Sequence, residues 1–346
     1  MTVDYIIVGL GLAGLSFSAQ AEVNNKSFIV VDDGSQRSST VAGGLYNPVI
    51  LKRFTPVWKA EEQLALALPF YDDLEARLGI KIHYHLPVYR LFHSAAEQND
   101  WFEATDKRGL APYLSDELIS QEFDGVKSQF GFGMVNQTGR IDTKELISGY
   151  KELLKLQNKL KEDTFDYDSL IIQENSVIYN NIEAKRIVFA EGFGLKQNPF
   201  FNDLPLKGTK GELLTIHAPA LNIDFVLKSG VFLIPLGDQN FIVGATYEWT
   251  DKTNNPTEQG KEELVRKLDK ILSCDYEIID HMAGMRPTVV DRRPLVGQHP
   301  EHKALYVLNG LGTRGVMIAP YAAKNLFEHI EQQKVLDREM SIERFV

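Results

Sequence analysis

Hydrophobic positions in this chain fall in short unbroken runs, separated by glycine turns and by stretches with helical periodicity. Tyr5-Ile6-Ile7-Val8 and Phe28-Ile29-Val30-Val31 are strand-length apolar runs, the pattern of parallel strands covered on both faces. Between them lie Gly9-Leu10-Gly11-Leu12-Ala13-Gly14 and enough chain for one helix and a turn. Strand, GxGxxG, helix, strand and a following acid form the dinucleotide-binding fingerprint. In this reading Gly9 permits the tight turn, Gly11 lets the backbone approach a pyrophosphate and Gly14 lets the helix pack on the strand. The helix N-terminus then presents free N–H groups to the phosphates. Asp32 is the ribose ligand, with Asp33 as the adjacent candidate, and an acid there favours NAD or FAD over NADP.

The rest of the chain alternates between the two periodicities. A small-residue loop over 38–48 precedes an expected helix over 58–78. Residues 81–93 alternate as strands around Pro87, a helix is expected over 95–105, and 143–160 is strongly helical. Residues 186–194 read as an apolar strand ending in small residues, where a ligand meets the carboxyl end of a sheet. Runs over 211–217, 230–235 and 240–249 read as antiparallel strands. The chain then repeats its opening design, with a strand and glycine loop over 304–315 and a helix over 316–333. Two such units at opposite ends imply an α/β protein with a Rossmann-like domain assembled from 1–80, 138–205 and 275–346. A mainly antiparallel second domain with helices takes 81–137 and 206–274.

Composition narrows the setting. The 346 residues are 44% hydrophobic and 24% charged, ordinary for a globular protein with room for two domains. The apolar runs are far too short to span a membrane, and no basic, apolar leader precedes the fingerprint, so a cytoplasmic protein is expected. The single cysteine, Cys274, rules out an intramolecular disulfide and a cysteine metal cluster. His299 and His302 form a close pair without nearby carboxylate or thiol support, so no metal is expected there. A net charge of −10 argues against nucleic acid as a partner.

Further motifs stand in a fixed order: Ala42-Gly43-Gly44-Leu45, Gly139-Arg140-Ile141-Asp142, Val188-Phe189-Ala190-Glu191-Gly192 and Lys207-Gly208-Thr209-Lys210-Gly211-Glu212-Leu213. Val231 to Pro235, Ile242 to Thr246, Gly284-Met285-Arg286-Pro287 and Gly310 to Pro320 follow. In order and spacing the chain resembles the D-amino acid oxidase type of FAD-dependent oxidoreductase, the group that includes glycine oxidase, sarcosine oxidase and the flavin domain of a bacterial tRNA-modifying enzyme. The resemblance implies a FAD-binding domain of the glutathione reductase type holding FAD in extended form. It carries the cofactor to Gly9, Gly11, Leu12, Ala13, Gly14, Asp32 and Asp33, and to Gly43, Gly44, Leu45, Ala190 and Gly192. At the flavin end it implies Gly312, Thr313, Arg314, Gly315, Val316 and Met317, where a helix N-terminus stabilises charge on the reduced ring. Gly43 and Gly44 are expected to let the backbone pass against the flavin.

The same resemblance implies oxidation of a C–N bond of a small amine or amino acid to an imine by hydride transfer to flavin N5, followed by hydrolysis. Arg286 is the expected carboxylate clamp, because a guanidinium gives bidentate hydrogen bonds; the competing reading has it order its own turn or pair with Asp291. Tyr46, Tyr247 and Arg314 are further candidates, and Trp249 is either a pocket wall or an ordinary strand aromatic. Relatives with covalent flavin carry Cys near the Arg286 motif, where this chain has Gly284, so noncovalent FAD is expected. Sarcosine oxidases carry an oxygen-activating Lys where this chain has Ile242, which leaves oxygen or another carrier as electron acceptor. Two other functions remain compatible with the residues: modification of a tRNA wobble base, and a flavin-binding module without turnover.

Overall fold

The computed structural model describes residues 1–345. Its first sheet is built on the strand Thr2–Val8, flanked in parallel by Phe28–Val31 and Ile182–Phe189. From Tyr5 to Val8 side chains alternate between two cores: Tyr5 and Ile7 face one, Ile6 and Val8 the other. This double coverage is why the sequence runs are continuous rather than alternating.

On its edge away from Thr2–Val8, the strand Ile182–Phe189 serves two partners. Its first half pairs with the hairpin strand Val177–Tyr179, and its second half pairs in parallel with Leu305–Asn309. The N-terminal and C-terminal units therefore share one sheet. On its inner face the helix Leu12–Val23 packs against the last helix, Gly315–Gln332, which also packs against Ala60–Leu78.

The second sheet has eight strands, in the order Glu277–Arg286, Thr209–His217, Asn240–Gly244, Phe232–Gly237, Val226–Lys228, Val88–Leu91, Phe132–Val135, Leu114–Ile119. Its pairings are antiparallel except between Val226–Lys228 and Val88–Leu91, which run in parallel. Helix Glu258–Leu268 covers one face through Leu264 and Leu268. A third, three-stranded sheet joins Leu45–Tyr46, Gly139–Ile141 and His83–His85.

Several boundaries differ from the sequence reading. Helix 143–160 stops at Leu156, because the chain turns through Asn158 at φ +55° and Leu160–Lys161 pairs in parallel with Val30 and Val31. The strand expected over 240–249 ends at Gly244, leaving Trp249 53% exposed outside it. The edge strand Glu277–Arg286 belongs to the second sheet, so residues 275–286 leave the nucleotide unit assigned to them. Among the described residues no helix is long and apolar enough to cross a membrane.

Candidate active site

One cavity runs between the two large sheets, from Asp32 and Asp33 at one end to Tyr247, Arg286 and Arg314 at the other. Two helices open onto it, Leu12–Val23 and Gly315–Gln332, and neither N-terminus has a side-chain cap. Apart from the Leu12 N–H, their first-turn N–H groups make the cavity receptive to negative charge at two places. At the first, the Ser39 hydroxyl accepts from the Leu12 N–H at 3.2 Å.

The glycine turn is shaped by close approach. Gly9 has φ +96°, and a Cβ there would sit 2.6 Å from the Ala190 carbonyl oxygen. Gly14 does not line the cavity; its missing Cβ makes room for the Gly9 carbonyl, 1.9 Å from where that atom would be. Asp32 Oδ1 accepts from the Leu10 N–H at 2.9 Å, and its other oxygen has no protein partner among the described residues. Asp33 is occupied instead by Ser35 N–H at 2.9 Å and Thr164 Oγ1 at 3.1 Å.

Gly43, Gly44 and Leu45 line the middle of the cavity, but the demand for glycine at 44 has a different cause from the expected one. Gly44 has φ +70°, and a Cβ would fall 1.8 Å from the Ile141 carbonyl oxygen, so the neighbouring strand forbids a side chain there. Tyr46 is removed from the site altogether. Strand alternation turns its side chain away from the cavity that Leu45 lines, and it is buried with its hydroxyl 2.9 Å from His83 Nε2. Met317 is likewise buried in the helical core and does not line the cavity. Gly11, Leu12, Ala13, Ala190, Gly192, Gly312, Thr313, Gly315 and Val316 all do.

At the far end Arg286 stretches across Gly211 on the neighbouring strand, where a Cβ would lie 1.8 Å from Nη2. Its Nη1 donates to the Thr246 carbonyl at 3.1 Å, and its guanidinium lies over Tyr247. Asp291 does not pair with it: that carboxylate is held by Arg344 Nε at 2.8 Å and by the Arg293 N–H. Burial holds both Arg286 and Arg314 below the ordinary guanidinium pKa, a cost that an anionic ligand would offset. Among the described residues neither has a carboxylate partner. Cys274 lies elsewhere, with Sγ 3.8 Å from the Gly125 carbonyl oxygen.

A family model described as FAD dependent oxidoreductase matches residues 4–329. The chain belongs to that family. It is 26% identical over 348 residues to the glycine oxidase of Pseudomonas putida, covering 92% of each chain. It is 23% identical over 359 residues to the bifunctional protein ThiO/ThiG of Synechocystis, spanning 96% of this chain and about half, 52%, of that protein. Among solved structures, iminodiacetate oxidase from Chelativorans superposes with a TM-score of 0.79 at 17% identity, covering 97% of this chain and 99% of the other. The protein is thus an FAD-dependent oxidoreductase with the fold of those enzymes.

The cavity fits the FAD that the family binds. Asn309 is buried beside it, and its Nδ2 is a buried donor without a partner, while its Oδ1 accepts from the Gly310 N–H at 2.7 Å. That donor, the two uncapped helix N-termini and the free oxygen of Asp32 suit the polar edges and phosphates of a dinucleotide. The sequence reading missed Asn309, Ser39 and Glu191. Glu191 lies two residues beyond the strand Ile182–Phe189, is 8% exposed and lines the cavity. It accepts from Tyr167 Oη and from Asn198 Nδ2 at 2.8 Å, and burial pushes its carboxyl up to about 7. An acid directly after an otherwise apolar strand was the available signal.

Proposed function

We propose that this enzyme oxidises the C–N bond of a small amine or amino acid to an imine, which water then hydrolyses to a carbonyl compound and a free amine. The observation that carries the reading is Arg286, a half-buried guanidinium without a carboxylate partner, in the same cavity as the dinucleotide turn. FAD bound there would supply the two-electron acceptor for the hydride that leaves the substrate α-carbon. Arg286 would bind the substrate carboxylate through two parallel N–H donors, held in place by the Thr246 carbonyl and the Tyr247 ring. That contact fixes the α C–H direction, and the amine must arrive neutral so that its lone pair can form the C=N bond. Tyr247, 60% exposed at the cavity, would exclude water from the bound substrate once packed on it.

The cofactor is proposed to be noncovalent, since Gly284 stands where covalent relatives place Cys and Cys274 does not reach the cavity. Ile242 is buried, an apolar side chain at the place of the oxygen-activating lysine of sarcosine oxidases, which supports a carrier other than oxygen as acceptor. The same proposal places the enzyme in the cytoplasm, a reducing compartment that one cysteine suits.

Anaerobic bleaching of the bound flavin by glycine, D- and L-amino acids and N-methyl amino acids tests the reading. Reduction by one carboxylated amine, with its oxo product detected, is the expected result. Reduction only by a tRNA bearing an aminomethylated wobble base, or by none of these, would replace it with one of the two other functions.

A further inference from the structure

Helix Ala60–Leu78 meets the three-stranded sheet at a cluster of side chains outside the flavin cavity. His83 and His85 are two apart on one strand, so they share a face, and Asp72 reaches them from the helix. His83 Nδ1 lies 2.6 Å from Asp72 Oδ1, and the two imidazole centroids are 4.2 Å apart. One ligand atom from each of the three residues falls within 4.8 Å of the others.

We propose that Asp72, His83 and His85 form a divalent transition-metal site, with Zn²⁺ its best match. Zn–N and Zn–O bonds of about 2.0–2.1 Å with tetrahedral angles place ligand atoms roughly 3.4 Å apart. Donors already within 4.8 Å reach that spacing by small side-chain rotations. Two imidazoles and one carboxylate suit Zn²⁺ over Ca²⁺ or Mg²⁺, which take all-oxygen sets. Asp72 and His85 are exposed, so the ion has an entry path and a fourth position open to water.

The remaining nitrogen of His83 supports the same reading. Nε2 lies 2.9 Å from the buried Tyr46 hydroxyl, which leaves Nδ1 facing Asp72. Ligating histidines commonly anchor their second nitrogen in this way, fixing ring orientation and tautomer. The same hydroxyl lies 3.4 Å from His85 Nδ1, so Tyr46 positions both rings, and each ring keeps a nitrogen within 4.8 Å of the Asp72 carboxylate. The ion would staple the helix to the sheet that carries Leu45 into the cavity wall. His299 and His302, the pair that the sequence brings together, do not form such a group with a carboxylate among the described residues.

Isothermal titration of the FAD-loaded, chelator-washed protein with ZnCl₂ decides the matter. One saturable ion per chain is expected, with a thermal midpoint that rises as Zn²⁺ is added. Asp72→Asn and His85→Ala should each weaken binding at least tenfold, and Tyr46→Phe by roughly 10- to 100-fold. His302→Ala should leave it unchanged. Asp72 and His85 are exposed, so these variants keep the fold; FAD content verifies this, and His85→Gln replaces any variant that loses it. Absence of saturable Zn²⁺ binding in the unsubstituted protein, binding untouched by D72N and H85A, or binding lost in H302A overturns the proposal.

Discussion

The guanidinium carbon of Arg286 stands 4.8 Å from the ring centroid of Tyr247. An aromatic face steadies a half-buried cation without neutralising it, so the charge stays available for a ligand. Hydrogen bonds to charged groups contribute about 1.5–3 kcal/mol, or roughly 10- to 150-fold in binding. Arg286→Ala should therefore raise KM for a carboxylated amine by about that factor while FAD remains bound, and Arg286→Lys should recover part of it. Steady-state kinetics with flavin absorbance on the same preparation checks this; an unchanged KM removes Arg286 from substrate binding.

Gly211 offers an independent test of the same geometry. A Cβ there would collide with Arg286 Nη2 at 1.8 Å, and the side chain would have to shift. Gly211→Ala is expected to raise KM with a smaller effect on the rate of flavin reduction at saturating substrate. If both parameters are preserved, the guanidinium position is not the one that binds substrate.

Glu191 links stability to pH. Its carboxyl, about 7 in the folded protein against 4.5 for an ordinary glutamate, favours the protonated form when folded. A raised pKa contributes stability that is present below the unfolded value and lost as pH rises through the folded one. Between pH 4.5 and 7 the loss approaches about 3 kcal/mol at roughly 1.4 kcal/mol per unit. Thermal midpoints measured over that window should decline for the unsubstituted protein and decline less for Glu191→Gln. Parallel curves would place the titration elsewhere.

Tyr46→Phe separates packing from chemistry. Its hydroxyl bonds His83 inside the protein and does not reach the cavity. Loss of the bond leaves a buried imidazole nitrogen unpaired, at a cost of about 1–3 kcal/mol. A lower thermal midpoint with KM and kcat within about twofold is expected; a large drop in kcat would return Tyr46 to the site.

The nucleotide end was legible because its information is local: a strand, a turn and a helix within thirty residues, each marked by its own periodicity. The pairing of Val226–Lys228 with Val88–Leu91 joins segments far apart in the chain, and no periodicity announces such a partner. Tyr46 was misplaced by one position of strand alternation, which sends Leu45 to the cavity and Tyr46 to His83. Asn309 ends its strand and Glu191 follows one, and the apolar runs before them conceal what a polar side chain does there. The requirement for glycine at 44 was readable, but its cause, the Ile141 carbonyl, belongs to a strand nearly a hundred residues away.

The shared strand Ile182–Phe189 also sets a timetable for synthesis. Its later partner, Leu305–Asn309, and the helix that follows leave the ribosome more than a hundred residues after the strand itself. Until they emerge, the nascent protein holds the glycine turn without the Arg314 end of the cavity, and the edge at Ile187–Phe189 waits for its partner. The cavity is therefore completed only once residues 305–316 have emerged, and a ribosome stalled before residue 305 carries a chain that lacks one of its walls.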